Sequence, residues 1–161
     1  MAEIRLFHEL EPVYDSQSRV LILGSFPSVV SRKQNFYYAN ATNRFWPVLA
    51  EVFETEISDR KQFCLEHHIA LWDVIESCVI HGSSDSSIRD AVPNDIASLV
   101  KKTKIKAIVT TGQKAASLYQ KLIQLDLPHI ALPSTSAANA SMRKEQLVKE
   151  YQIVRTFAKE N

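Results

Sequence analysis

Glycine is scarce in this chain, at 3 residues in 161. That excludes collagen-like, low-complexity and glycine-rich phosphate-loop proteins, and neither GxGxxG nor GxxxxGKS/T occurs. Only Cys64 and Cys78 carry thiols. They are too few for a disulfide framework and lack CxxC spacing, so a reduced pair in a cytoplasmic protein is expected. No apolar run approaches the roughly 18 residues of a membrane helix. The start of the chain carries Glu3, Arg5, His8 and Glu9, which is not a secretory signal. Charge of one sign is also missing: 19 basic against 18 acidic side chains leave a formal net charge of +1. Acidic tails and histone-like proteins are thereby excluded, but local basic patches for nucleic acid are not. A nucleophile elbow of the GxSxG type is absent, which argues against a serine hydrolase.

What the chain does have is a core. Apolar residues make up 45%, enough to bury one, and the length fits a single domain over residues 1–161. Arg19 to Leu23 is an apolar run ending in Gly24, the pattern of a buried parallel strand. Residues 25–41 read as a long loop, a feature usually tied to function. Phe45, Trp46, Leu49, Val52 and Phe53 have helical spacing, with Thr42 or Asn43 as cap and Pro47 in the first turn. A helix over 58–67, capped by Ser58, and a strand over 69–73 follow. Residues 77–90, with Gly82 and five serines, read as a loop. The pattern then predicts a helix over 96–102, a strand over 106–110, a helix from Gly112 through Leu122 and a strand over 129–132. A loop over 133–139 precedes a closing helix over 142–158, with Leu147, Val148, Tyr151, Val154 and Phe157 on one face. Strands alternating with helices imply a parallel sheet covered on both sides, with ligands beyond the carboxyl ends of the strands.

Three segments meet at those ends. Gly24, Ser25, Phe26, Pro27 and Ser28 follow the first core strand. Tyr38, Ala39, Asn40, Ala41, Thr42, Asn43, Arg44, Phe45 and Trp46 lead into the first long helix. Leu132, Pro133, Ser134, Thr135, Ser136, Ala137, Ala138 and Asn139 leave the last strand. The first resembles the water-binding loop of the uracil-DNA glycosylase superfamily, Gly-Ile-Asn-Pro-Gly in its mismatch-specific branch. The second is similar to the Phe-Ala-His-Pro-x-Asn-Arg-Phe-Trp stretch of that branch. The third resembles the family's DNA-clamping loop. Together with Leu71, Trp72, Asp73 and Val74, it is most similar to the hypoxanthine-DNA (deoxyinosine) glycosylase branch.

The resemblance implies an α/β fold, a three-layer sandwich with a central, mostly parallel four-stranded sheet, uracil-DNA glycosylase-like. It implies a monofunctional glycosylase that hydrolyses the N-glycosidic bond of a flipped base, hypoxanthine first and uracil next. The partner is DNA with a deaminated or mismatched base. A monomer is expected, with no cofactor, no metal and no membrane. The three motifs hold no lysine that would form a Schiff base, so lyase chemistry is not expected.

One departure shapes the site. Other branches place Asn, Asp or Glu where this chain has Ser25 and Phe26, and neither of these ionises as a base. The attacking water then needs Ser25, backbone groups or Asn43, which offers an amide at the helix start. Asn43 as a plain helix cap is the competing reading, and the two roles can coexist. Gly24, Phe26, Tyr38 and Asn40 are the base-binding candidates, with Tyr38 as the stacking ring. Ser134, Thr135, Ser136, Asn139 and Arg143 are the candidates for the DNA backbone, because small hydroxyl side chains and exposed N–H groups suit phosphate oxygens. Lys144, Arg32, Lys33, Arg44 and Arg89 would add charge. Asp73 and Asp85 read as loop-organising residues, Phe45 and Trp46 as core. His67 and His68 read as a helix end, and His81 and His129 lack metal-binding partners in sequence. Lys101, Lys102 and Lys104 read as a solvated face. A uracil- or mismatch-type enzyme and an inactive damaged-DNA-binding module of the same fold are the rival readings.

Overall fold

A computed structural model of the protein describes residues 4–80 and 87–159. In chain order its elements are β1 (Arg5–Phe7), β2 (Val20–Gly24), α1 (Val29–Gln34), α2 (Phe45–Val52), α3 (Arg60–Glu66), β3 (Ile69–Asp73), β4 (Ile75–Val79), β5 (Arg89–Pro93), α4 (Ile96–Lys101), β6 (Ala107–Thr111), α5 (Gln113–Leu122), β7 (His129–Leu132) and α6 (Lys144–Ala158). The main sheet is four-stranded and parallel in the order β3-β2-β6-β7. No helix among the described residues is long and apolar enough to cross a membrane.

Both faces of β2 are buried, which is why its sequence is continuously apolar rather than alternating. Val20 and Ile22 point into a core built with α2, α3 and α6. Leu21 and Leu23 point the other way, into a core with α4 and α5. The closing helix contributes Leu147, Tyr151, Val154 and Ala158 to the first of these cores, while Val148 and Phe157 pack against its margin. The expected three-layer arrangement is thus present, with the strands of the main sheet where the apolar runs placed them.

Several local expectations need correction. The stretch over 25–41 is not all loop: Ser28 caps α1 by accepting from the Ser31 N–H at 3.1 Å, and α1 ends in a left-handed Asn35. The cap of α3 is Asp59, not Ser58, because its carboxylate accepts from the Gln62 N–H. Residues 77–79 and 89–90, expected in a loop, belong to strands. They build a second, antiparallel sheet in the order β1-β4-β5. The polar residue that hid β4, Ser77, is buried and accepts from the Arg5 guanidinium at 2.9 Å. His81, Gly82 and Asp85 lie outside the described residues.

Candidate functional site

The carboxyl ends of the parallel strands lie in register. Gly24 pairs with Asp73, Leu23 with Thr110 and Thr111 with Leu132. From β2 the chain passes to β3 on one side, whereas β6 takes the other, so a crevice opens at this switch in direction. A cleft of about 250 Å³ lies there. Gly24, Ser25, Phe26, Tyr38, Asn40, Asn43, Ser134, Thr135 and Ser136 all line it, and Tyr37, Asp73 and Thr111 join them. Asn139 does not. It lies in a separate groove on the other side of the 134–139 loop. Arg143 is exposed at the cap position of α6 and is not part of the cleft either.

Gly24 is required by close approach. A Cβ there would stand 2.6 Å from Asp73 Oδ1 and 3.4 Å from the Tyr38 hydroxyl. The floor above Gly24 therefore carries a carboxylate oxygen and a phenol side by side. Asp73 is 4% exposed, and its Oδ2 lies 2.9 Å from His8 Nε2. A carboxylate only accepts, so Nε2 carries the hydrogen of this contact. The His8 ring packs edge-on against Phe26, with 6.1 Å between centroids, and beside Tyr37. Phe26 is thereby fixed as a wall of the cleft, with the Arg32 guanidinium 5.7 Å from its ring centre. The Tyr37 phenol is pushed well above its usual range by burial first and by the Asp73 charge second, so it stays protonated and donates to the Glu11 carbonyl.

Tyr38 adopts a left-handed backbone conformation, with φ at 51°. That twist lays its ring flat on Phe45, 3.8 Å between centroids and 9° between planes. The hydroxyl bonds to Thr111 Oγ1 at 3.1 Å. Asn40 closes a turn, its Oδ1 accepting from the Thr42 N–H and hydroxyl at 2.9 and 2.8 Å.

Asn43 is held at the start of α2 by two hydrogen bonds. Its Oδ1 accepts from the Phe45 N–H at 2.9 Å, which satisfies the first amide of α2. The same oxygen accepts from Thr135 Oγ1 at 2.8 Å. Two donors on one carbonyl oxygen fill both lone pairs. The side chain therefore meets the cleft with its NH₂ group, a donor, and not with an acceptor. Arg44, one residue on, is the geometric cap of α2 and makes no side-chain cap bond.

The 134–139 loop is held from behind. The Arg44 guanidinium donates to the carbonyls of Thr135, Ser136, Asn139 and Met142. It is an organiser of the loop, not the free cation the sequence suggested. Thr135, expected on phosphate, is 1% exposed and gives its hydroxyl to Asn43; it positions Asn43 instead. Asn139 ties Nδ2 to the Ser134 carbonyl at 3.0 Å. Tyr151 donates to the Pro133 carbonyl at 2.6 Å, anchoring the start of the loop. Ser134 and Ser136 each accept a backbone N–H, from Ser136 and Ala138. Each keeps a hydroxyl proton to donate, which is what a phosphate oxygen takes.

Sequence reasoning missed His8 and set Asp73 aside as a loop-organising residue. His8 had no signal, being a lone histidine far from every motif. Asp73 had one: it ends the strand that pairs with the strand of Gly24. Among the described residues no group of His, Cys, Asp and Glu is arranged to hold a metal ion. The site offers instead a carboxylate, an amide donor, aromatic walls and a hydroxyl-lined rim.

Comparison with known proteins shows the family and the fold. The family model for the uracil DNA glycosylase superfamily matches residues 11–157. A hypoxanthine DNA glycosylase of Methanosarcina acetivorans is 34% identical over 140 residues, covering 83% of this chain and 89% of the relative. Its counterpart of the same name in Methanosarcina barkeri is 28% identical over 141 residues, covering 84% and 89%. A solution NMR structure from Methanosarcina acetivorans, described as a candidate uracil DNA glycosylase, superimposes with a TM-score of 0.82 at 28% identity. The match covers 98% of this chain and 100% of that one.

Proposed function

The chain belongs to the uracil DNA glycosylase superfamily, and from that premise we propose that it is a monofunctional DNA repair glycosylase. It hydrolyses the N-glycosidic bond of a flipped deaminated base, hypoxanthine before uracil, and leaves an abasic site. The observation that carries this reading is the convergence of residues 24–28, 38–43 and 134–136 on one cleft beyond the strand ends. In this reading one domain, acting as a monomer, carries the reaction. Cys64 and Cys78 are buried free thiols, which suits a reducing cytoplasm.

The reaction divides among the residues as follows. Flipping costs a few kcal/mol of unpairing and unstacking, less for a mispaired base, which favours damage over normal pairs. Ser134 and Ser136 donate hydroxyl protons to the DNA backbone and hold it without reading sequence. The base enters between aromatic walls at Phe26 and Tyr38, where stacking is worth about 1–3 kcal/mol. As the glycosidic bond breaks, the sugar gains positive charge and the leaving base gains negative charge, by analogy with glycoside hydrolysis. The Asn43 NH₂ group is preorganised to donate to the departing base, because its carbonyl is already held twice. Ser25 and neighbouring backbone groups orient the water, whose oxygen bonds the sugar carbon as the bond to the base breaks and whose released proton ends on the departing base.

Labelled duplexes carrying inosine, uracil, xanthine or a normal pair, followed by alkali, test the proposal. Strand cleavage at inosine, and none without alkali, is the expected result. Binding without cleavage on every duplex would favour an inactive binding module. Faster cleavage at uracil than at inosine would move the enzyme to the uracil reading, which the name of its structural neighbour favours.

A further inference from the structure

We propose that the side-chain amides of Asn40 and Asn43 form a pair of donors that reads the O6 and N7 edge of a flipped 6-oxopurine, Asn40 taking O6 and Asn43 taking N7. This rests on the glycosylase reading above and names the groups that place hypoxanthine before uracil. Three observations carry it. Both residues line the cleft. They stand at the two ends of one tight turn, closed by the Asn43 N–H donating to the Asn40 carbonyl at 2.9 Å, which keeps their Cα atoms within about 7 Å of each other. Both amides also have their oxygens engaged: Asn40 Oδ1 accepts from the Thr42 N–H and hydroxyl, and Asn43 Oδ1 accepts from the Phe45 N–H and the Thr135 hydroxyl. With both lone pairs of each oxygen in use, an NH₂ group is all that either amide has left for a ligand. Among the described residues neither NH₂ group has a partner.

Two neighbouring donors call for two neighbouring acceptors. Hypoxanthine offers O6 and N7 side by side, the same pair that a two-donor side chain takes on guanine in the major groove. Adenine carries an amino group beside N7, so one donor would there face another. Uracil has a single acceptor, O4, on the corresponding edge, with a C–H beside it, and one NH₂ group of the pair goes unmet. Guanine shares O6 and N7; it is kept out by the cost of flipping it from its own pair, not by this edge. The reaction decides which amide takes which atom. Negative charge gathers on the imidazole ring of the purine as it leaves, so the Asn43 donor that serves the departing base takes N7. Asn40, exposed at the rim where Asn43 is half-buried, takes O6 on the six-membered ring.

The test measures single-turnover excision by the full-length protein from duplexes with 2′-deoxyinosine and with 2′-deoxynebularine, a purine that keeps N7 and lacks O6. Substitution and base are the two arms of a cycle, in which the differing lability of the two glycosidic bonds cancels. Asn40→Ala should lose about tenfold more on inosine than on nebularine, the size of one hydrogen bond to the base. Asn40→Asp keeps the acceptor for Thr42, and with it the turn and the melting temperature, but sets a carboxylate against O6. Its extra loss on inosine should be at least as large. Where nebularine is released too slowly to time, affinities for the same two duplexes with cleavage-resistant 2′-fluoro sugars supply the cycle. Equal losses on the two bases in Asn40→Asp overturn the proposal. If they are equal and small, Asn40 only closes its turn; if they are equal and large, and an undamaged duplex is bound more weakly too, its NH₂ group holds the DNA backbone. A wild type that leaves inosine in place refutes the glycosylase reading itself, and the proposal with it, so the two failures are told apart.

Discussion

Replacing Asn43 separates a structural from a chemical role, because the two reside on different atoms of one amide. Asn43→Ala removes the acceptor of the Phe45 N–H and of the Thr135 hydroxyl. Thr135 is buried, so its hydroxyl is left unsatisfied, and α2 loses the partner of its first amide. The two losses together destabilise the fold by about 2 kcal/mol, which lowers Tm by about 4–8 °C in a chain of this size. The same variant deletes the NH₂ donor, and single-turnover excision of inosine should fall about 10²–10³-fold. Asn43→Asp pulls the effects apart. Its carboxylate accepts both hydrogen bonds, and negative charge at the start of α2 is favourable, so Tm should stay near the wild-type value. The donor is nevertheless gone, and a negative charge faces a base that is itself turning negative. Its rate should fall at least as far as that of Asn43→Ala. Rates at saturating enzyme, with Tm measured on the same preparations, check both. If Asn43→Asp is as active as the wild type, Asn43 is only a cap, and the assignment of its NH₂ group to the reaction is wrong.

Other residues make four further predictions. Ser134→Ala with Ser136→Ala should weaken binding to every duplex alike, read by titration with and without inosine, and a changed base preference at intact affinity would contradict the backbone role. Tyr38→Ala should lose about 1–3 kcal/mol of affinity for the flipped base, while Tyr38→Phe keeps the ring on Phe45 and most of the activity; wild-type excision by Tyr38→Ala would put the ring outside the pocket. Arg44→Lys cannot reproduce the fork that spans four carbonyls; lower Tm and slower excision are expected, and unchanged excision would mean the loop holds its shape alone. Burial lowers the pKa of His129 and of His67, so the folded-state values lie below those of the unfolded chain. Above pH about 6.5 both states hold these groups neutral, and below it the unfolded chain takes up protons that the folded one resists. Tm should therefore decline as pH falls from 7 to 5, and less steeply in His129→Gln, which can still bond Thr110; an equal slope refutes the assignment.

The main sheet was legible because its strands are buried on both faces. Val20 to Leu23 and Ala107 to Val109 have no solvent side, so their sequences are uninterrupted apolar runs. The small sheet was not, because what holds it is distant in sequence. Arg5 satisfies Ser77 across 72 positions, and a serine that looks like loop composition becomes a satisfied residue in a strand. The same contrast runs through the cleft. Gly24, Asn43 and Ser134 announce themselves by their places at strand ends and helix starts, where local backbone requirements narrow the choice of residue. Their chemistry is less local. Whether Asn43 offers the cleft an acceptor or a donor is decided by Thr135, 92 positions away. Whether Arg44 meets DNA or its own loop is decided by the carbonyls of 135–142. How one oxygen of Asp73 is held is decided by His8, 65 positions earlier, just beyond β1. Residue type and spacing thus mark where this site is, while the direction of each hydrogen bond, and with it the reaction each group can serve, follows only from the packing of the whole chain.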